Sequence, residues 1–538
     1  MTDDPKKEDS SNDITNVFGK NGKWQKITFL ISSVISIFSA WNNLVVAFFA
    51  PNINYWCADH PNGTEETNRT SPGEHQCEFM GPDNKSKIPC TEMEYDHSFY
   101  RSTIIEEWDL VCENEWLISV SQSVYMAGYM TSMLVFGQLS DRFGRRPIFF
   151  TALGILLVSN VACLFANHFI VFTILRFFIS LGVSGAGATS FVILMETVGP
   201  EFRSAYGLGY NFGWALGYIL LPGIAWWLRD WFYIQMAITI PCFVLVASWW
   251  FISESPRWLL TNNRFDKAEK VVTTAAKKNN KNLMEAKNAF KQIRNNLEKA
   301  EAPKKTQATI FSLLRTPNMR KKTLNLYFCW FVNSFIYFGL SLNTNDLGGN
   351  PFINFFIAGA IEFPAYVVSI FVIRIFGRRI PQMATMVIGG MACVLTIPIG
   401  DDLLWLKISL AMIGKFCITA SFGIVYVFSA EIYPTVVRNV GVGSSSTCAR
   451  IGSMVAPFVK ELGKATKPEV PYAVYGGLSV VSGLLVLLLP ETHQCSLPDT
   501  IQEGEQFGTK AYNPIKGINT EISMVEKEVL DQNDKTRL

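Results

Sequence analysis

Four charged residues stand where charge is expensive. Arg176, Glu362, Lys415 and Arg450 each lie well inside an apolar run of bilayer length, where a charge costs about 2.5–3.5 kcal/mol unless it is paired or solvated. The chemistry open to such groups is recognition of a charged solute. Arg450, in GVGSSSTCARIGSMVAPF, sits among small residues that open a close-packed helix face, and its planar fork suits a carboxylate. The rival assignment is a structural ion pair of Arg450 with Glu362. Trp330 and Tyr337, in CWFVNSFIYFG, are seven residues apart and so share one helix face. Aromatic faces near a carboxylate such as Glu362 suit an alkylammonium, each contact contributing ~0.5–2 kcal/mol. Arg176 precedes Glu196 by 20 residues and Lys415 precedes Glu431 by 16. One helical turn separates the two spacings, which makes both cations candidates to line a cavity; pairing within its own half is the rival for Arg176. A carboxylate site beside an ammonium site describes a zwitterion.

Helices of bilayer length must position these groups, and the chain holds twelve apolar runs of that kind. The first six are Ile27–Ala50, Leu117–Leu139, Ile148–Ala166, Phe169–Met195, Tyr206–Leu228 and Trp231–Ile252. The second six are Thr323–Leu342, Phe352–Ile373, Met383–Gly400, Leu403–Ala430, Val440–Val459 and Val470–Leu489. Between the second and third runs lies GQLSDRFGRRP, with Asp141, Arg142, Arg145 and Arg146. Positive charge in a short loop resists translocation, so this turn is expected in the cytoplasm.

The loops agree in sign. Residues 51–116 carry 14 Asp/Glu against 4 Lys/Arg, three glycosylation sequons at Asn62, Asn68 and Asn84, and four cysteines, Cys57, Cys77, Cys90 and Cys112. That combination fits an oxidising, extracellular loop with two disulfides, with three connectivities open. Residues 264–322 reverse the balance, 16 Lys/Arg against 5 Asp/Glu, and their amphipathic pattern predicts cytoplasmic helices lying against the inner membrane face or the bundle. The start, MTDDPKKEDSSND, is too polar for a cleavable signal, so the first apolar run is expected to act as the insertion signal. The expected organisation is a cytoplasmic tail at 1–26, a six-helix half at 27–252 containing the large loop, a basic cytoplasmic loop at 253–322, a second half at 323–489 and a cytoplasmic tail at 490–538.

The halves repeat. Gly144 of FGRR recurs as Gly377 of FGRR 233 residues on, Glu196 and Arg203 recur as Glu431 and Arg438 at 235, and Glu254 of SESPRW recurs as Glu491 of PET at 237. Parallel duplication places a substrate site between the halves near the bilayer midplane. The fold class is all-α and membrane-embedded, with twelve transmembrane helices in two six-helix halves. Asp141 has no acidic counterpart, since Arg374 aligns with it.

With the loop signature, the large first loop and SESPRW, the chain resembles the organic cation, organic anion and carnitine transporter family of the major facilitator superfamily, from its first helix to about Gly508. Around Arg450 the text YPTVVRNVGVGSSSTCAR looks more like the carnitine and zwitterion branch and its invertebrate relatives than the anion branch. Helices seven and eight resemble invertebrate members called organic cation transporters. The resemblance implies alternating access in the major facilitator fold, with Trp330, Tyr337 and Glu362 matching aromatic and acidic cavity positions of the cation carriers. At Arg450 cation carriers often have an acidic residue, whereas anion and carnitine carriers have arginine, so the chain departs from the plain cation type. Lys415 joins these expected substrate contacts on its spacing alone. The resemblance also implies a cytoplasmic gate of Asp141, Arg142, Arg145, Glu196, Arg203, Glu431 and Arg438 whose charges pair across the inner ends when the carrier faces outward. The expected partners are a small organic cation or zwitterion and the lipid bilayer of the plasma membrane, with organic-anion exchange as the second choice.

Other classes fare worse. A net charge of +2 argues against a nucleic-acid partner. His60, His75, His97, His168 and His493 fall in loops or near membrane edges, which leaves no metal site or histidine relay in the core and argues against an enzyme. No phosphate loop is present for ATP-driven transport. A non-transporting receptor on the same fold stays open. No cofactor is expected; sodium coupling is left open because no spacing identifies a sodium site.

Overall fold

The computed structural model describes residues 14–57, 77–80, 87–299, 309–343, 348–467, 469–493, 495, 497–498 and 500–509. Among these residues, twelve long helical segments make up the bundle. In the first half these are α1 (Lys23–Phe49), α2 (Trp116–Phe143), α3 (Arg145–Cys163), α4 (Phe169–Thr197), α5 (Arg203–Leu228) and α6 (Trp231–Trp250). The second half has α7 (Pro317–Leu342), α8 (Pro351–Phe376), α9 (Arg379–Leu395), α10 (Leu404–Ile432), α11 (Arg438–Ala465) and α12 (Val470–Val486).

Apolarity alone does not mark all twelve. Helices α1, α3, α4, α6, α8 and α10 are long and apolar enough to span a bilayer, and α9 and α12 are shorter apolar helices. The remaining four, α2, α5, α7 and α11, fall outside these groups, yet each contributes residues to the central cavity described below, as α1, α8 and α10 also do. Large apolar side chains such as Val158, Trp227, Ile240, Phe371, Ile388 and Leu488 are exposed on the bundle, as a lipid-facing surface requires.

Packing repeats with the sequence. Helix α1 packs on α5 as α7 packs on α11, and α3 on α4 as α9 on α10. The halves meet where α2 touches α11 and α5 touches α8, and exchanging the halves turns one contact into the other. Gly213 and Gly217 let α5 lie against α1, since a Cβ on either would come within 2.6–2.7 Å of the Ser33 or Ile37 carbonyl oxygen. Small residues four apart are the usual means of such close approach in membranes. Helix α8 is interrupted at Ile361. Pro364 lacks the amide that would bond the Ala360 carbonyl, so the helix breaks beside Glu362.

One end of the bundle carries the large loop (the loop end); the other carries the Gly144 and Gly377 turns (the turn end). At the loop end, β1 (Tyr55–Cys57) pairs with β4 (Met93–Tyr95) and β2 (Glu78–Met80) with β3 (Lys87–Pro89). Of the three open connectivities the structure takes Cys57–Cys90 and Cys77–Cys112. Asn62, Asn68 and Asn84 lie outside the described residues.

At the turn end, helices Phe265–Lys278 and Leu283–Lys299 bury their apolar faces in a second core with Ile14, Val17, Phe18, Trp24 and Trp258. Their apolar faces thus meet the segment before α1 and Trp24 in the first turn of α1, so they lie against this end of the bundle. Asn279 holds that segment, accepting from the Trp24 amide at 2.9 Å and donating to the Phe18 carbonyl at 2.7 Å. This is why α1 starts at Lys23, four residues before the apolar run.

Candidate functional site

A cavity of about 170 Å³ lies between the halves. From the first half it takes Ser36, Ser39 and Asn43 of α1, Tyr129 of α2, and Tyr210, Asn211 and Trp214 of α5; from the second, Tyr337, Phe338, Tyr366, Phe422, Tyr426 and Arg450. Arg450 is the one charged residue among the described residues that line it. Its guanidinium lies 4.1 Å from the centre of the Tyr129 ring, across the junction of α11 and α2. Its Nε and the Asn43 side-chain amide are buried and make no hydrogen bond among the described residues. Such groups favour a ligand that supplies acceptors and donors. Eight aromatic side chains complete the lining, a wall suited to an alkylammonium group.

Glu362 and Lys415 stand behind this wall; Lys415 instead lines a separate cavity of about 330 Å³ toward the loop end, with Leu340, Met412 and Tyr475. Lys415 Nζ pairs with Glu362 Oε1 at 3.2 Å and donates to Ser341 Oγ at 2.6 Å, with side-chain exposures of 2% and 0% for the pair. The Tyr337 hydroxyl donates to Glu362 Oε1 and accepts from Trp214 Nε1 at 2.8 Å, so Tyr337 separates the pair from the cavity. The lysine also lies 3.4 Å from the Tyr337 ring centre. Glu362 thus pairs with Lys415 rather than Arg450. Trp330 is likewise fully buried, its Nε1 donating to Ser429 Oγ at 2.8 Å and its ring edge-on to Tyr426 at 4.3 Å. Trp330 and Tyr337 do share a face, both packing on Phe422, but only Tyr337 reaches the cavity. Arg176 is outside it too: Nη2 donates to Gln122 Oε1 at 3.0 Å and the guanidinium sits 4.6 Å from the Tyr125 ring centre. That is pairing within its own half, the rival assignment.

The predicted gate charges form two copies of one device. Gly144 and Gly377 turn the chain at φ +114° and +82°, values that favour glycine. Across each turn a glutamate caps the next helix: Glu254 Oε1 accepts from the Arg145 amide at 2.9 Å, and Glu491 accepts from the Arg378 and Arg379 amides at 2.9 and 3.0 Å. A carboxylate at a helix start meets both free amides and a favourable dipole. A Cβ at Gly144 would lie 2.5 Å from Glu254 Oε2, so the cap and the glycine require one another. Partial burial pushes the Glu491 carboxyl up, but the amides of Arg378, Arg379, His493 and Thr492 outweigh it and hold it below the usual carboxylate range. The cap's contribution is therefore complete above the ordinary carboxylate value and is lost as pH falls through the lowered one.

The arginine after each glycine then binds the glutamate of the neighbouring helix end, Arg145 to Glu196 at 3.0 Å and Arg378 to Glu431 at 2.9 Å. The missing acid shows as an asymmetry. Asp141 meets Arg145 at 2.7 Å, whereas Arg378 meets His493 Nδ1 at 2.8 Å and Thr492 donates to Glu431 at 2.6 Å. Arg142 lies over the Phe143 ring, Arg438 donates to the Tyr433 carbonyl and to Thr435, and Arg203 opens α5 as Arg438 opens α11.

These charge pairs run within each half. The loop end differs, with contacts between the halves: Ser119 donates to the Pro457 carbonyl and to Glu461, Ser123 donates to the Met454 carbonyl at 2.6 Å, Lys464 pairs with Glu115, and Phe48 packs on Phe352 and Phe355.

Comparison with known proteins decides the family. The model described as sugar (and other) transporter matches residues 28–501. The chain belongs to this family of membrane carriers. Within it, the chain is 38% identical over 528 residues to the organic cation transporter protein of Drosophila melanogaster, covering 93% of this chain and 95% of that one. It is 37% identical over 411 residues to organic cation/carnitine transporter 2 of Homo sapiens, covering 76% and 73%. The carrier thus sits among the organic cation and carnitine transporters of the major facilitator superfamily, and it is not an enzyme. The fold matches the xylose transporter XylE from E. coli in its partially occluded inward open conformation, with TM-score 0.61, 17% identity and coverage of 88% and 100%.

Most of the aromatic lining was absent from the residues singled out in the sequence. Tyr210 and Trp214 of α5, and Phe422 and Tyr426 of α10, recur four residues apart, the spacing of one helix face. Tyrosine and tryptophan away from the ends of a membrane helix, where such rings usually sit, was the available signal.

Proposed function

We propose that this carrier moves small organic zwitterions, carnitine-like compounds above all, and related organic cations across the plasma membrane by alternating access. The observation that carries the proposal is the pairing of one lining cation, Arg450, with an aromatic cage. Glu362 is already neutralised by Lys415, so the cavity offers an ammonium group ring faces and offers a carboxylate a guanidinium. A substrate with both groups uses both. Arg450 on its own favours a second reading, exchange of organic anions.

In this account the loop end is extracellular, with its sequons glycosylated, and the turn end and both termini are cytoplasmic. The contacts between halves at the loop end, and charge pairs kept within each half at the turn end, support an inward-facing arrangement. Re-pairing of Arg145, Glu196, Arg378 and Glu431 accompanies the switch, each state holding its own set of contacts. No cofactor enters the cycle.

The test removes the charge from each side. Arg450→Gln is expected to lower uptake of labelled carnitine by roughly tenfold to a hundredfold, the worth of a charge-assisted hydrogen-bonded contact. Uptake of the methyl ester of carnitine, which lacks the carboxylate charge, should change by less than about threefold. Equal loss for both compounds would show that Arg450 does not hold the carboxylate. Binding without uptake in the wild type would make the chain a receptor.

A further inference from the structure

A second cavity, about 370 Å³, opens at the turn end where α6, the α2–α3 turn and helix Phe265–Lys278 converge. Its basic lining is Arg146, Arg264 and Lys267, and its apolar walls include Phe143, Trp249 and Trp250. Trp249 and Trp250 are 53% and 73% exposed. Tryptophans at a membrane-helix end mark the level of lipid headgroups. The one acid in the lining, Glu254, is engaged by the amides of Arg145, Arg146 and Ser255.

The Arg146 guanidinium is set for an anion. It lies 4.9 Å from the Trp249 ring centre, Nη2 donates to the Trp249 carbonyl at 2.9 Å, and Nε is buried without a hydrogen-bond partner among the described residues. Opposite, the Arg264 guanidinium lies 4.9 Å from the Trp258 ring centre, and Lys267 is exposed one helical turn further on. The repeat does not supply this groove twice. At the repeat spacing, Val486 and Leu487 stand where Trp249 and Trp250 do.

We propose that this groove binds the headgroup phosphate of an anionic phospholipid of the inner leaflet, with the acyl chains running along Trp249 and Trp250. The assignment uses the sidedness argued above, since the cytoplasmic leaflet carries the anionic lipids. The phosphate joins Arg146 of the gate turn to Arg264 and Lys267 of the cytoplasmic helix. The lipid thereby ties that helix to the half whose Arg145–Glu196 pair belongs to the inward-facing arrangement.

The experiment is native mass spectrometry of the purified full chain titrated with phosphatidylinositol 4-phosphate, with phosphatidylcholine and inorganic phosphate as separate arms. Arg264→Gln/Lys267→Gln, both exposed and outside the substrate cavity, is expected to weaken the anionic lipid roughly tenfold. Lys287→Gln/Lys291→Gln, an equal charge change on helix Leu283–Lys299, should bind it as the wild type does, and phosphatidylcholine should be the same for all three proteins. An unchanged affinity in the first variant, or an equal loss in both, overturns the site. Inorganic phosphate binding as tightly as the lipid overturns the lipid assignment. None of these readouts depends on what the carrier transports.

Discussion

Alanine at Lys415 is expected to cost the protein about 3–5 kcal/mol, enough to remove most of it from the cell surface. The cost comes from the partner left behind. Glu362 is fully buried, its Oε2 has no hydrogen-bond partner among the described residues, and Oε1 is held by Lys415 and Tyr337. Without the ammonium, a carboxylate remains in a helix break with a single hydroxyl for company. Neutralising both partners removes that penalty, because well-packed neutral residues replace a buried pair at little cost. Thermal unfolding in detergent should therefore rank Lys415→Ala well below both the wild type and the double variant Glu362→Gln/Lys415→Met. The double variant also separates two roles. If the pair is structural, carnitine uptake per folded molecule stays within about threefold of the wild type. A loss comparable with that of Arg450→Gln would return Glu362 to the list of direct substrate contacts.

Joining the halves at the loop end is expected to stop transport altogether. Glu115, the residue before α2, pairs with Lys464 of α11, and alternating access requires that contact to part in the outward-facing state. Cysteines at the two positions, oxidised to a disulfide, should abolish uptake, and mild reductant should restore it. Each single cysteine variant and the wild type, treated identically, should transport throughout. Full uptake with the cross-link formed would mean that these ends do not separate during the cycle.

The architecture was largely legible because a bilayer imposes length and apolarity, and the duplicated Gly144/Gly377, Glu196/Glu431 and Glu254/Glu491 positions supplied its symmetry. What the spacings could not supply was which partner each buried charge takes. Glu362 lies on α8 and Lys415 on α10, and nothing in either segment records that the two helices bring them within 3.2 Å. Trp330 illustrates the same limit. Its helix face was legible, but its distance behind the wall depends on Phe422 and Tyr426 of another helix. Arg450 was recognisable because its surroundings are small residues, which leave an arginine no local partner. The cage around it comes from several helices of both halves, and assembles only when α2 meets α11 and α5 meets α8.

The most direct test of the central claim is uptake by cells expressing this chain of labelled carnitine, tetraethylammonium and an aromatic carboxylate, side by side, with and without sodium. A cavity that offers a guanidinium and a ring cage together predicts saturable carnitine uptake above that of tetraethylammonium, with the aromatic carboxylate lowest; the sodium arm then separates symport from facilitated diffusion. Uptake of the aromatic carboxylate alone would contradict the account and make Arg450 the anchor of an anion exchanger.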